Sequence, residues 1–196
     1  MNVYPSEFNA NRMPLGSISR REQMLGNQMR LLWEQHVYWT RLVISGIVFH
    51  SPDLDMSKAR LLRNPGDFAA VLSPFYGKAA AARFASLLTD HLTIAAELVT
   101  AAAEGRSQEA ADAEKRWYDN ADRIAAFLSS INPHWTMQEW REMLYSHLDM
   151  TKQEATDFIS GNYAASAAVF DRIEREALEM ADRMTEGIVQ QFPFLF

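Results

Sequence analysis

Cysteine is absent from this chain of 196 residues. That excludes disulfides and thiolate ligands, so any bound metal has to be held by nitrogen and oxygen. Glycine and proline are scarce, at 8 and 7 residues, and fall largely between periodic segments. Val, Ile and Thr are sparse as well, which argues against extended strands. Positive charge is not in excess: the formal net charge is −6 and no basic stripe runs along the chain, so no nucleic-acid partner is expected. No apolar run reaches about 18 residues, so no membrane span is expected. Met1 to Ser17 lacks a basic start followed by an apolar core, so no signal peptide is read there and the cytoplasm is the default expectation. There is no Gly-x-Ser-x-Gly, no phosphate loop and no dinucleotide fingerprint.

What is present is apolar and helix-forming. Apolar residues make up 48% of the chain and alanine is abundant, the composition of an all-α protein. Residues 1–18 are polar, Asn-rich and punctuated by proline, and read as a flexible N-terminal arm; 19–196 reads as a single helical-bundle domain. Ser19-Arg20-Arg21-Glu22 is a capping box, because Ser19 can accept from the Glu22 amide while Glu22 reaches back. It opens a long helix to about His50. A short helix over 57–63, a turn at Asn64-Pro65-Gly66 and a short helical piece over 67–72 follow. The next long helix spans 78–103 and stops at Gly105; another spans 107–130 and breaks at Asn132-Pro133. Capping boxes at Thr136–Glu139 and Thr151–Glu154 predict a short helix over 136–148 and a last long helix over 151–191, kinked at Gly161. The apolar tail Phe192 to Phe196 is expected to fold back on the bundle. The fold expected is an all-α, up-down four-helix bundle with short extra helices capping one end.

Each long helix places one polar residue amid an apolar face: His36, His91, Asn120 and Glu174. A helix turns by about 100° per residue, which groups Leu25, Met29, Leu32, Val43 and Ile47 around His36. The same construction groups Phe84, Leu87, Ala95 and Leu98 around His91, Ala113, Ile124 and Phe127 around Asn120, and Tyr163, Phe170, Ala177 and Ala181 around Glu174. Counted from the shared end of the bundle, the four heights agree to roughly 7 Å at about 1.5 Å per residue. Buried polar groups need partners, and two readings stay open. In one, His36, His91 and Glu174 hold a mononuclear divalent metal (Fe, Mn or Zn), with Asn120 as fourth ligand or outer donor and Tyr163 near the bound group. With an open coordination position such a site is compatible with redox or oxygen-related chemistry, and no substrate is indicated. A haem between His36 and His91 is a variant. In the other, the four form a hydrogen-bonded layer that sets helix register in a non-catalytic structural or protein-interaction bundle, spore- or stress-associated.

The remaining histidines and charges take plainer roles. His147 reads as a core residue, or as a ligand with His50 at the upper end; His134 reads as a loop residue. Glu34 and Arg41 read as a solvated pair, and Thr40 as bonding back to the His36 carbonyl. The pattern lacks the Glu-x-x-His pairs of di-iron bundles and the His-Glu-x-x-His of zinc proteases. Five tryptophans and the apolar tail are compatible with a homodimer.

The segments Leu32 to Arg41, Leu61 to Pro65, Pro74 to Gly77, Leu87 to Leu92, Trp117 to Asp122 and Tyr163 to Phe192 are similar to a family of small helical proteins from spore-forming Gram-positive bacteria. The resemblance covers nearly everything after residue 20. It implies a bacterial, compact α-fold and assigns no catalytic residue. Members are sometimes labelled acetylglutamate kinase, an activity that belongs to larger α/β proteins with Gly-rich phosphate loops, and this chain has neither feature.

Overall fold

The computed structural model describes residues 18–196, so the expected arm lies outside the described residues except for Ile18. Helix α1 (Arg20–Phe49) begins as its capping box dictates, with Ser19 Oγ accepting from the Glu22 amide at 3.1 Å. It ends at His50 in the left-handed region, φ 52°. Helix α2 (Leu54–Leu61) is short. Helix α3 (Asn64–Ala103) is two rods joined at Gly77, whose φ of 77° and ψ of 164° only glycine adopts without strain. Helices α4 (Ser107–Ile131), α5 (Met137–Ile159) and α6 (Tyr163–Gln191) follow, and a short 3₁₀ turn, Pro193–Leu195, closes the chain.

Several boundaries differ from those the local signals predict, α2 among them, which starts at Leu54 rather than 57. Asn64-Pro65-Gly66 is the first turn of α3 and not a free turn, and residues 67–72 continue it. A proline in the first helical turn loses no intrahelical bond, since that amide has no partner there. Thr151–Glu154 starts no helix: both residues are buried inside α5. The stripe Leu144, His147, Leu148, Thr151, Ala155 and Phe158 stays on one face, so packing carries the helix through the apparent capping box. The break comes instead at Gly161, φ 76°, and it is complete rather than a kink.

The all-α bundle is borne out, with α5 built in as a full wall and not only as an end cap. Around the bundle α1 packs on α3, α3 on α4, α4 on α5, α5 on α6 and α6 on α1, while α1 and α5 also touch across the middle. One end gathers the start of α1 and the ends of α4 and α6. Arg21 Nη1 donates to the Leu195 carbonyl at 3.1 Å, and Gln191 bonds both Tyr76 and the Ile131 carbonyl. The tail folds back as expected, with the Phe75 ring 5.7 Å from Phe192 and 6.0 Å from Phe196. At the other end Phe49 meets Phe158 and Tyr163. It follows that α1, the second rod of α3 and α5 all run upward, while α4 and α6 run down; α1 and the second rod of α3 are parallel and not the up-down neighbours expected, because α2 and the first rod of α3 return the chain to the lower end at Tyr76 before the second rod climbs. Among the described residues no helix is long and apolar enough to cross a membrane.

Candidate functional site

The three upward helices each carry one buried histidine at the same height: His36 on α1, His91 on α3 and His147 on α5. The His36 ring centre is 6.4 Å from His91 and 5.8 Å from His147. All three line one internal cavity of about 10 Å³, walled otherwise by apolar and indole side chains. A space of that size admits roughly one water molecule or ion.

Two of the histidines are held by the same device. His36 Nδ1 lies 3.2 Å from Asn64 Oδ1, and Asn64 Nδ2 donates to the Leu32 carbonyl at 2.9 Å. His91 Nδ1 lies 2.9 Å from Asn120 Oδ1, and Asn120 Nδ2 donates to the Leu87 carbonyl at 3.1 Å. In both cases the carbonyl belongs to the residue four before the histidine. The amide nitrogen is committed to that carbonyl, so the amide oxygen must accept from the imidazole. Nδ1 therefore carries the proton, and Nε2 keeps its lone pair. His147 has a carboxylate in the corresponding place: Nδ1 is 3.4 Å from Glu176 Oε2, without hydrogen-bond geometry.

Electrostatics keep the first two rings neutral. Burial lowers His36 to about 3, aided by His147 and His91 and opposed by Asn64. Burial likewise lowers His91 to about 3, aided by His147 and opposed by Asn120. Trp33 and Trp117 stand beside His36 and His91 at 5.5 Å and 5.3 Å. The indole nitrogens of Trp33, Trp117 and Trp140 are all buried without a partner.

The sequence expectations meet this site in part. His36, His91 and Asn120 come together as expected, with Asn120 as the partner of His91 Nδ1. Glu174 does not join them. It is half-buried on the seam of α6 with α1, where the Glu34 carboxyl is raised by its own burial first and by the charge of Glu174 second. The buried stripe of α6 runs through Ile173, Ala177, Met180 and Met184, which turns Glu176 and not Glu174 toward His147. Tyr163 is remote from the histidines, 55% exposed at the start of α6 against Phe49 and Phe158. His147 is not paired with His50, which is exposed at the top of α1. Thr40 bonds the His36 carbonyl as expected, at 2.7 Å. Arg41 pairs with buried Glu154 and not with Glu34, and lies 4.8 Å over each of the Phe158 and Phe170 rings. His147 is in the core as expected, but its place beside His36, and the partner roles of Asn64 and Glu176, lie beyond the sequence expectation. The signal for His147 was the unbroken spacing Trp140, Leu144, His147, Thr151.

Among the described residues, no three or more His, Cys, Asp or Glu side chains stand ready in a metal-holding arrangement. Three imidazoles sharing one tetrahedral ion through bonds of about 2.1 Å have ring centres roughly 5 Å apart, so the two separations from His36 are open by about 1 Å. Compared with known protein families, curated proteins and solved structures, the chain matches none.

Proposed function

We propose that this is a metal-binding helical-bundle protein whose ion is held by Nε2 of His36, His91 and His147. The observation that carries the reading is the shared preparation of His36 and His91, two residues that line the common cavity: each Nδ1–H is tied to an anchored asparagine oxygen, which leaves Nε2 unprotonated. Outer partners of this kind select the tautomer a metal needs, and a carboxylate behind one histidine raises its basicity. Glu176 would do that for His147. Burial also keeps His36 and His91 neutral at pH 7, so no proton has to be displaced before they bind.

Replacing the expected carboxylate ligand by a third imidazole changes the metal preference. Imidazole suits Zn, Fe, Ni and Cu, while Mn favours oxygen donors. The cavity has room for an ion and not for a haem macrocycle. With three protein ligands, a divalent ion keeps an open position, and it would supply Lewis-acid or one-electron chemistry there.

A second reading has its own support: the open ring separations and the absence of a ready ligand group favour a structural polar layer in an interaction bundle. The resemblance to small bacterial helical proteins, a cytoplasmic setting and the lack of a nucleic-acid partner belong to the proposal in either form. A homodimer, if formed, would use the exposed Met24, Leu31 and Tyr38, which lie seven residues apart on α1.

Elemental analysis of untagged protein separates the two. The metal reading expects near-stoichiometric ion, lost in His91→Ala and His147→Ala and retained in Glu174→Gln. Metal-free protein that gains no thermal stability from Zn(II), Fe(II) or Ni(II) would leave the structural layer.

A further inference from the structure

One turn above the histidine layer the bundle holds a second, apolar chamber. Thr40, Ala95 and Thr151 line it, and they stand four residues after His36, His91 and His147 on the same upward helices. The chamber is about 60 Å³. It shares a wall of Val43, Leu61, Leu92 and Ala96 with an outer groove of about 550 Å³ beneath α2, α3 and α4. An outer volume of that order is typical of sites for small organic molecules.

Two polar groups in the chamber wall lack partners. Thr151 is 4% exposed and Trp117 2% exposed, and neither Thr151 Oγ1 nor Trp117 Nε1 makes a hydrogen bond. The indole N–H is a donor only, and the hydroxyl can donate, so the missing partner is an acceptor oxygen. Charge narrows the class further. The single ionic residue lining the chamber is Lys152, whose ammonium already meets Glu114 Oε1 at 2.7 Å. A carboxylate entering there would be buried without a counter-ion, whereas an uncharged oxygen would not suffer that penalty.

The geometry points to a binding site for a small uncharged molecule with an aliphatic body and one acceptor oxygen, such as a ketone or aldehyde. The oxygen end occupies the inner chamber against Trp117 and Thr151. The aliphatic body runs outward past Leu61 and Ala96 into the groove. Binding stands on the chamber alone and does not rest on the metal reading above.

Hexan-2-one is titrated into the full chain, first stripped of metal and then after incubation with Zn(II), following the Trp117 indole N–H resonance and the melting temperature. Saturable binding with a shifted Trp117 resonance is expected. Thr151→Val, which keeps the side-chain shape and removes the hydroxyl, should weaken it about fivefold, the usual worth of one hydrogen bond. Ala96→Phe should close the passage and abolish it, with circular dichroism confirming the fold. Hexanoate should bind more weakly than the ketone. The inference is overturned if neither preparation binds the ketone saturably, if Thr151→Val binds it unchanged, or if hexanoate binds more tightly. Zinc uptake without ketone binding overturns this inference alone. Ketone binding by protein that takes up no metal upholds it and removes the metal reading.

Discussion

His147 Nδ1 and Glu176 Oε2 lie 3.4 Å apart in the core, and neither has a hydrogen-bond partner. The contrast with His36 and His91, whose Nδ1 atoms both reach an asparagine oxygen, is one of alignment and not of distance alone. An ion on His147 Nε2 would require the proton on Nδ1, and the carboxylate is the acceptor waiting for it. Glu176→Gln should therefore weaken metal binding by about 10- to 100-fold, the usual effect of removing an outer carboxylate. Competition titration against a chromophoric chelator measures this, and an unchanged affinity in Glu176→Gln would count against the assignment. Glu174→Gln, on the seam with Glu34, should leave the affinity as it was.

The asparagines make a prediction that does not depend on metal. Asn64→Ala and Asn120→Ala each strip a buried imidazole N–H of its acceptor and a helical carbonyl of an extra donor. Each should destabilise the metal-free fold by roughly 2 to 4 kcal/mol, through an unsatisfied buried donor and a small cavity. Urea unfolding at neutral pH reports the loss, and Asn120→Asp should not repair it fully because the amide donor to Leu87 is gone.

Acid should unfold the metal-free protein through the same layer. His36 and His91 are lowered to about 3 in the fold and return to about 6.5 on unfolding. Between those values the unfolded chain binds more protons, so stability rises with pH up to about 6.5 and is lost as pH falls below it. With both groups titrating, the slope approaches two protons, or roughly 3 kcal/mol per pH unit. A stability profile flat from pH 6.5 to 4.5 would contradict this. Glu154 works in the opposite direction: burial, partly offset by Arg41, raises it to about 7, so its contribution declines from pH 4.5 to 7 and softens the slope.

Among the described residues Arg41 alone partners the Glu154 carboxylate, across the α1–α5 contact, and it also bonds Ser166 Oγ at 3.2 Å. Arg41→Met keeps the apolar stem between Phe158 and Phe170 and leaves the carboxylate alone. The expected cost is about 3 kcal/mol at pH 8 and distinctly less at pH 5, where Glu154 is protonated and neutral. Equal losses at the two pH values would show that packing and not charge is at stake.

Gly187 on α6 lies against Trp135, whose Nε1 donates to the Arg183 carbonyl at 3.0 Å; a Cβ at 187 would overlap the indole ring. Alanine should gain about 1 kcal/mol in helix propensity and lose more, because displacing a buried tryptophan costs roughly 3 to 5 kcal/mol with its hydrogen bond. Thermal unfolding of Gly187→Ala, with tryptophan fluorescence reporting the exposed indole, tests the sign.

Local pattern determined the helices and the polar residues set in their apolar faces. Apolar spacing over α1, the second rod of α3 and α4 put His36, His91 and Asn120 inside, because a 3.6-residue repeat is a property of each segment alone. Ser19 and Thr136 cap their helices for the same reason, each hydroxyl oxygen accepting from the amide three residues on. Tertiary structure decided what local pattern could not. The Thr151 capping signal is suppressed because burial of Thr151, Ala155 and Phe158 outweighs a few tenths to one kcal/mol of end preference. On α6, Glu174 and Glu176 are two residues apart and both border the apolar stripe, so only the packing of α6 between α1 and α5 selects the one that meets His147. The partnership of each histidine with Asn64, Asn120 or Glu176 crosses between elements. It depends on the order in which helices close around the core, information that no periodicity within a single helix contains.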